Sequence, residues 1–285
     1  MSRNAQVVET LHIDDCDISE ARSLAAIFGT ESYGYVVTAN VDHAIRYYHN
    51  AEFRELYANA TYVLLDSRFL VRVLRLLKGQ HLRASPGSDL TAEIFESILS
   101  PRDVALVVGG TPEQAQCLRT KFGLQSLRHI DPPMHFIRDP VAVEKCLQQI
   151  EAESPFRFCF LALGSPQQEI IANKLRERGI ARGLSLCVGA AVNYMTGAER
   201  RAPLWMQMQG LEWLFRLLLQ PRRLAYRYLV RGPRIFWLAS RIELRLRRPE
   251  AVLIEPLLHA ASSRAPEAEV QDSLEDEPLK AGELP

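Results

Sequence analysis

The sequence is poor in the features that would settle its class at once. It has no uncharged apolar run of the roughly eighteen residues that a membrane-crossing helix needs. Its amino end, "MSRNAQVVETLHIDD", has no apolar stretch behind a basic start, so export by a standard signal is not expected. Cysteines are few and odd in number (Cys16, Cys117, Cys146, Cys159 and Cys187), with no Cys-x-x-Cys or His-x-x-x-His spacing. That argues against a disulfide framework or a structural zinc site and for a reducing compartment. No Gly-x-Gly-x-x-Gly occurs, which counts against a standard dinucleotide fold. Net charge is absent too, with 34 basic and 34 acidic residues.

That balance hides a division along the chain. Between Arg200 and Arg248 twelve arginines face only Glu212 and Glu243, and from Pro249 onward nine acids face Arg264 and Lys280. The acidic end has few large apolar residues after Leu258 and is expected to be disordered from about Ala260. Three regions follow: 1–202, an α/β domain; 203–248, a basic helical appendage; and 249–285, an acidic tail.

What is present in the first region is alternation. Apolar runs such as "YGYVVTA", "TYVLLD", "DVALVVGG", "FRFCFLALG" and "LSLCVGAAV" are separated by amphipathic helical stretches. Strands that are apolar nearly throughout, with helices between them, predict a parallel sheet covered on both faces, a Rossmann-like α/β fold. Ligands of such sheets lie outside the carboxyl ends of the strands. The residues there are unusually polar or small: Thr38 and Asn40, Asp66, Gly109 and Gly110, Gly164 to Gln168, and Gly189 to Asn193.

Structural readings stand beside the functional ones. Asn40 is equally a helix cap, and Thr111-Pro112 after the glycine pair is an ordinary helix start. Glu169 is equally a carboxylate favoured by a helix dipole. Asp66 is harder to dismiss, because it ends an apolar run where a carboxylate is half-buried unless used or paired. In "LALGSPQQE", Gly164 lets the backbone approach a ligand and Pro166 opens a helix whose N–H groups face the site. Gln167 and Gln168 offer neutral donors and acceptors suited to sugar hydroxyls or a uracil ring. No Asp-x-Asp stands at the end of any strand read in this way, so cations for a diphosphate must come from side chains or helix N-termini.

Taken in order, "TAN" at 38–40, Asp66, "GSD" at 87–89, Gly109-Gly110, "GSPQQE" at 164–169, "VGAAVNYMTGAERRAPLW" from Val188, "GLEWLFR" at 210–216 and "PRR" at 221–223 resemble the WecG/TagA/CpsF family, glycosyltransferase family 26. The resemblance spans about residues 33–236. Three positions depart from the family pattern: Ser67 stands where Gly is usual, Asn193 where Asp is common and Gln167 where Lys is frequent. The resemblance implies an inverting, metal-independent and cofactor-free transfer from a UDP-sugar donor to a polyprenyl-diphosphate-linked sugar, on the inner face of a plasma membrane. Asp66, the only well-placed carboxylate at a strand end in the first half, is then the base, with Thr38 and Asn40 beside it. Arg216 and Arg223 match positions that close over the diphosphate. A third such position falls at Tyr226, leaving Arg222 or Arg227 to substitute. Arg83, Asp89 and Arg201 join Gly109, Gly110, Gly164, Ser165, Pro166, Gln167, Gln168, Glu169, Gly189 and Asn193 as substrate-binding residues.

Beyond Pro221 the arginines interleave with aromatic and aliphatic residues, and Gly232-Pro233 breaks the run into two helices. The pattern suits an anionic membrane surface, with Arg231, Arg234, Arg241, Arg245, Arg247 and Arg248 meeting lipid. No base-reading motif accompanies the charge, so nucleic acid is not an expected partner; oligomeric state is open. The competing readings are a nucleotide-dependent oxidoreductase and a non-catalytic membrane adaptor.

Overall fold

The structure, a computed structural model, describes residues 10–248; the acidic tail and its expected disorder lie outside them. Six strands form one parallel sheet: β2 (Tyr33–Ala39), β3 (Tyr62–Leu65), β4 (Ala105–Val108), β5 (Leu127–Ile130), β6 (Phe158–Leu161) and β7 (Gly183–Cys187), in the order β3-β2-β7-β6-β4-β5. Two more, β1 (Thr10–Asp14) and β8 (Glu243–Arg247), make a separate parallel pair. The apolar runs are strands because both faces are covered: all four residues of β4 and of β6 are buried. At the edge, β5 reads "LRHI" with Arg128 exposed between buried ends, a charge that blunts pairing with another chain.

Helices fill the crossovers. They are α1 (Ile18–Ile27), α2 (Val41–His49), α3 (Ala51–Ala58), α4 (Arg68–Lys78), α5 (Gly87–Ser97), α6 (Pro112–Phe122), α7 (Pro140–Ala152), α8 (Gln167–Arg178) and α9 (Ala191–Met195). Their starts follow local chemistry. Thr111 caps α6 in a reciprocal capping box with Gln114, and Pro112 takes the first helical position, where its missing N–H matters least. The carboxyl segment then runs through α10 (Leu204–Met208), α11 (Glu212–Leu219), α12 (Pro221–Ala225), a π-helical turn at Tyr226–Arg231 and α13 (Arg234–Leu238).

Three expectations about that segment are corrected. It is not helical to Arg248, because 243–247 pair as a strand with β1. The alternation "ELRLR" has the period of a strand, and its partner lies far away in sequence, where no local pattern points to it. Nor do residues 203–248 stand apart, since the described residues belong to one compact unit and Ile235, Leu238 and Ile242 are buried in its core. Finally, two arginines assigned to lipid pair with carboxylates of the α/β region. Arg247 reaches Asp14 at 2.9 Å and Arg231 reaches Asp42 at 3.4 Å. Among the described residues no helix is long and apolar enough to cross a membrane.

Candidate active site

The carboxyl ends of β2, β3, β6 and β7 open onto a cavity of about 870 Å³, and the segment from Gln207 to Phe236 forms its opposite wall. Of the residues singled out from sequence, Thr38, Asn40, Asp66, Gly164, Ser165, Gln168, Gly189, Asn193, Arg216 and Arg223 line it. Of the two candidate substitutes at the third arginine position, Arg227 lines the cavity and Arg222 does not.

Asp66 follows β3 directly. Ser67 takes the capping task, accepting the Leu70 N–H at 3.1 Å, so Asp66 is left to face the cavity. Its Oδ1 accepts the N–H of Gly87 at the start of α5, at 2.9 Å. Burial pushes the carboxyl up to about 6; the Gly87 hydrogen bond opposes this, Glu212 adds to the rise, Arg216 pulls it down and Asp89 raises it again. A carboxyl in that range is ionised at neutral pH yet far more basic than an ordinary aspartate. A Cβ at Gly87 would stand 3.1 Å from both Cγ2 and Oγ1 of Thr38, close enough that the Thr38 side chain would have to shift by a few tenths of an ångström.

The neighbouring loops are tied by hydrogen bonds to backbone. Asn40 caps α2, accepting from the N–H groups of Asp42 and His43 at 3.0 and 3.2 Å, and also lines the cavity; capping and site are one position. The Thr38 hydroxyl donates to the Cys187 carbonyl at 3.4 Å, joining β2 to β7. Gln168 is buried, accepts the Gly189 N–H at 3.0 Å and donates to Glu169 at 3.0 Å. It therefore links the loop after β6 to the loop after β7, a structural tie that its sequence position did not reveal. Pro166 is the residue before α8 rather than its first.

Other predicted residues lie outside the lining. Asp89 is clasped by Arg68 at 2.9 Å and Arg201 at 2.5 Å. Glu169 is fully buried in the first turn of α8, and Gln167 is half-buried there. Gly109 continues the β4–β5 ladder, its N–H donating to Ile130 at 2.8 Å; with φ +88° and a Cβ position 2.9 Å from the Ala162 carbonyl oxygen, it tolerates no side chain. Gly110 precedes the cap of α6, whose Gln114 reaches the cavity residue Asn193 at 2.9 Å. Arg83 stands among Asp15, Asp17 and Glu20, the last at 2.6 Å. That acidic group also corrects the reading that no Asp-x-Asp ends a strand. Asp15-Cys16-Asp17 follows β1, a strand not foreseen, and its carboxylates hold Arg83 and cap α1. Among the described residues no group of three or more His, Cys, Asp or Glu side chains is placed to hold a metal.

Several lining residues were missed. Asp42, buried, gathers Arg46 at 3.2 Å, Arg231 at 3.4 Å and Arg227 at 3.9 Å, and Arg46 also donates to Ser165 at 3.1 Å. Only the Arg46 pair, four residues apart on α2, carries a sequence signal. Phe69, Trp213, Tyr228 and Phe236 form an aromatic wall with ring centroids 5.9–6.4 Å apart. His43 is buried with Nδ1 3.0 Å from the Thr38 carbonyl and 2.9 Å from the Tyr57 hydroxyl, and burial pulls it below the usual imidazole value. Burial pushes Tyr194 up to about 12, and the Arg216 guanidinium lies 6.0 Å from its ring centroid.

The cavity has more polar groups than partners. Tyr194 Oη, Trp213 Nε1 and Arg227 Nε are buried without a hydrogen bond within the protein, and Arg216 makes no ion pair with any described residue. Orphaned buried donors are rare in folded proteins and mark places where something else binds. A basic carboxylate faces unpaired guanidinium groups across a space sized for a nucleotide-sized ligand; that arrangement suits proton removal on one side and anion stabilisation on the other. Residues 7–249 match the family model described as Glycosyl transferase WecG/TagA/CpsF family. The match takes in β1 and β8 as well as the stretch from Tyr33 to Phe236 that carries the motifs.

Proposed function

The chain belongs to the WecG/TagA/CpsF family of glycosyltransferases, and from that premise we propose that it moves a sugar from a UDP-sugar to a polyprenyl-diphosphate-linked acceptor, with inversion, in the building of a cell-surface polymer. The observation that carries this reading is the sharing of one cavity by Asp66 and Arg216, with Arg223 and Arg227 alongside. In a single displacement the acceptor hydroxyl gives its proton to the Asp66 carboxylate as its oxygen bonds to the anomeric carbon. The bond from that carbon to the diphosphate oxygen breaks, and UDP leaves with the electron pair. Arg216, Arg223 and Arg227 meet the charge that develops on the diphosphate, the task that a metal ion serves elsewhere. The aromatic wall offers faces for a uracil ring, and the unpaired Trp213 Nε1 a donor to it.

The carboxyl segment supports a membrane-facing orientation on the cytoplasmic leaflet. Leu218, Leu219, Tyr226, Leu229 and Val230 are exposed beside Arg222, Arg223 and Arg234, a mixture suited to an anionic lipid surface. Family membership sets aside the oxidoreductase reading. The test is thermal shift: UDP and its cognate UDP-sugar should raise the melting point, because a ligand that binds only the native state stabilises it, and NAD(H) should not. A shift with NAD(H) and none with UDP or any UDP-sugar would overturn the proposal.

A further inference from the structure

Outside the main cavity the chain carries a second concentration of positive charge that the reaction above does not use. From Arg68 to Ser85 the sequence, "RFLVRVLRLLKGQHLRAS", contains no acid. Arg68, Arg72 and Arg75 recur at spacings of four and three, so they share one face of α4. Leu70, Val73 and Leu74 on the opposite face are buried in the core. The arginine face borders a groove of about 260 Å³, lined by all three arginines, His81, Val71, Leu82, Ala84 and Met208. No carboxylate is in the lining. Arg72 donates to the Met208 carbonyl at 3.1 Å and to Gln209 at 3.0 Å, which fixes α10 against α4. Arg75 makes no ion pair and no side-chain hydrogen bond with any described residue.

Two further observations say what such a groove suits. Arg68 also lines the main cavity, two residues from Asp66, so the two spaces share a wall. Apolar side chains lie bare around the rim: Met208 is 69% exposed, Leu204 on the same face of α10 is 75% exposed, and Leu76, four residues beyond Arg72, is 80% exposed. Free phosphate needs cations only. A cationic groove edged by exposed aliphatic side chains fits a phosphate that carries a hydrocarbon chain.

We propose that this groove seats the diphosphate of the lipid-linked acceptor, with Arg72 and Arg75 on the phosphates and the lipid chain leaving across Leu204, Met208 and Leu76. This rests on the reading of the chain as a transferase to a lipid-linked sugar. The span is consistent. At about 1.5 Å of rise per residue, Arg75 lies roughly 10 Å along α4 from Arg68, a length bridged by a sugar and its diphosphate, which leaves the acceptor hydroxyl on the Asp66 side of the shared wall. Donor and acceptor anions then occupy separate cation clusters, so neither displaces the other.

The experiment titrates the full chain, with UDP saturating the main cavity, using farnesyl diphosphate as a short prenyl diphosphate. Arg75→Ala should weaken its binding about tenfold, as expected for a lost charge-assisted hydrogen bond, while UDP affinity and melting point stay unchanged. Arg75→Lys should restore part of the loss, and Arg72→Ala should weaken farnesyl diphosphate binding likewise, with a lower melting point because its hydrogen bonds to Met208 and Gln209 are lost. In turnover assays the same variants should raise KM for a polyprenyl-linked acceptor and leave kcat near wild type. Unchanged farnesyl diphosphate binding in both alanine variants overturns the proposal. So does loss of binding to phosphatidylglycerol vesicles with prenyl-diphosphate affinity retained, which would make the groove a general headgroup contact. Arginine-dependent binding of farnesyl diphosphate by a wild-type protein that transfers no sugar to any lipid acceptor would uphold the groove and sink the proposed reaction instead.

Discussion

The two walls of the main cavity are built by different means. On the sheet side, Thr38, Asn40, Asp66 and Gln168 each hydrogen-bond to backbone, at 2.9–3.4 Å. Those partners lie in β7, at the starts of α2 and α5, and in the turn after β7. On the carboxyl-segment side, Arg227 and Arg231 are held by ion pairs to Asp42 at 3.9 and 3.4 Å, and Arg216 and Arg223 have no ionic partner among the described residues. In the proposed reaction the duties separate: the wall that takes the proton is set by backbone, and the wall that meets the charge is set by side chains that an anionic ligand can engage in turn. The π-helical turn at Tyr226–Arg231, a local geometry often found at functional sites, lies in the second wall.

Asp66→Asn should lower turnover by roughly 10²- to 10⁴-fold, the loss expected of a general base, with UDP affinity nearly unchanged. Because the folded carboxyl sits near 6, above its ordinary 3.8, the fold favours its neutral form and loses stability as pH rises through that window. The asparagine keeps an acceptor for the Gly87 N–H and removes the charge, so its melting point at pH 8 should be no lower than wild type. In wild type, kcat/KM should fall about tenfold per pH unit below 6, and this limb should vanish from the residual activity of Asp66→Asn. A melting point several degrees lower, or an unchanged pH limb, would contradict the sheet-wall assignment.

Arg216→Ala should come next, with a loss in kcat of about 10²- to 10³-fold, the scale for removing one transition-state charge stabiliser. Arg216→Lys should recover only part of it, since a point charge does not replace a planar fork. An effect confined to KM for the donor would mean that Arg216 merely holds the ground state. Asp42→Asn should act on the second wall alone. It should destabilise the protein by about 1–3 kcal/mol, as expected for lost charge-assisted hydrogen bonds, and speed proteolytic cleavage between Gln220 and Arg234. The pH limb assigned to Asp66 should stay in place. The smallest expected effect is that of excess EDTA, which should leave the initial rate unchanged if arginines carry the diphosphate charge; a rate lost to EDTA and restored by magnesium or manganese would reassign that role.

Much of this was legible in the sequence because it is local. Apolar runs between amphipathic stretches specify strands buried on both faces, and of the polar or small residues just after β2, β3, β6 and β7, Asn40, Asp66, Gly164, Ser165, Gln168, Gly189 and Asn193 do line one cavity. Thr111-Pro112 announced the start of α6. What was illegible depends on partners remote in sequence. Nothing in "ELRLR" says that it pairs with Thr10–Asp14, and nothing around Arg83 says that it faces Asp15 and Glu20 rather than a ligand. A guanidinium assigned by its neighbours in sequence to lipid, that of Arg231, instead meets a carboxylate on α2.

By itself, then, the amino-acid sequence determined the parallel α/β sheet, the carboxyl ends of the strands that open onto the cavity, and the place of Asp66 in its lining, because periodicity, capping and strand-end position act over a few residues. Only the tertiary structure decided which arginines enter the cavity and which are neutralised. It also decided that Gln168 is a tie between loops, that 203–248 completes the domain instead of hanging from it, and that α4 turns an acid-free arginine face toward a groove beside the site. Charge acts through space and falls off with distance, so its role is fixed by which side chains the fold brings within a few ångströms of one another.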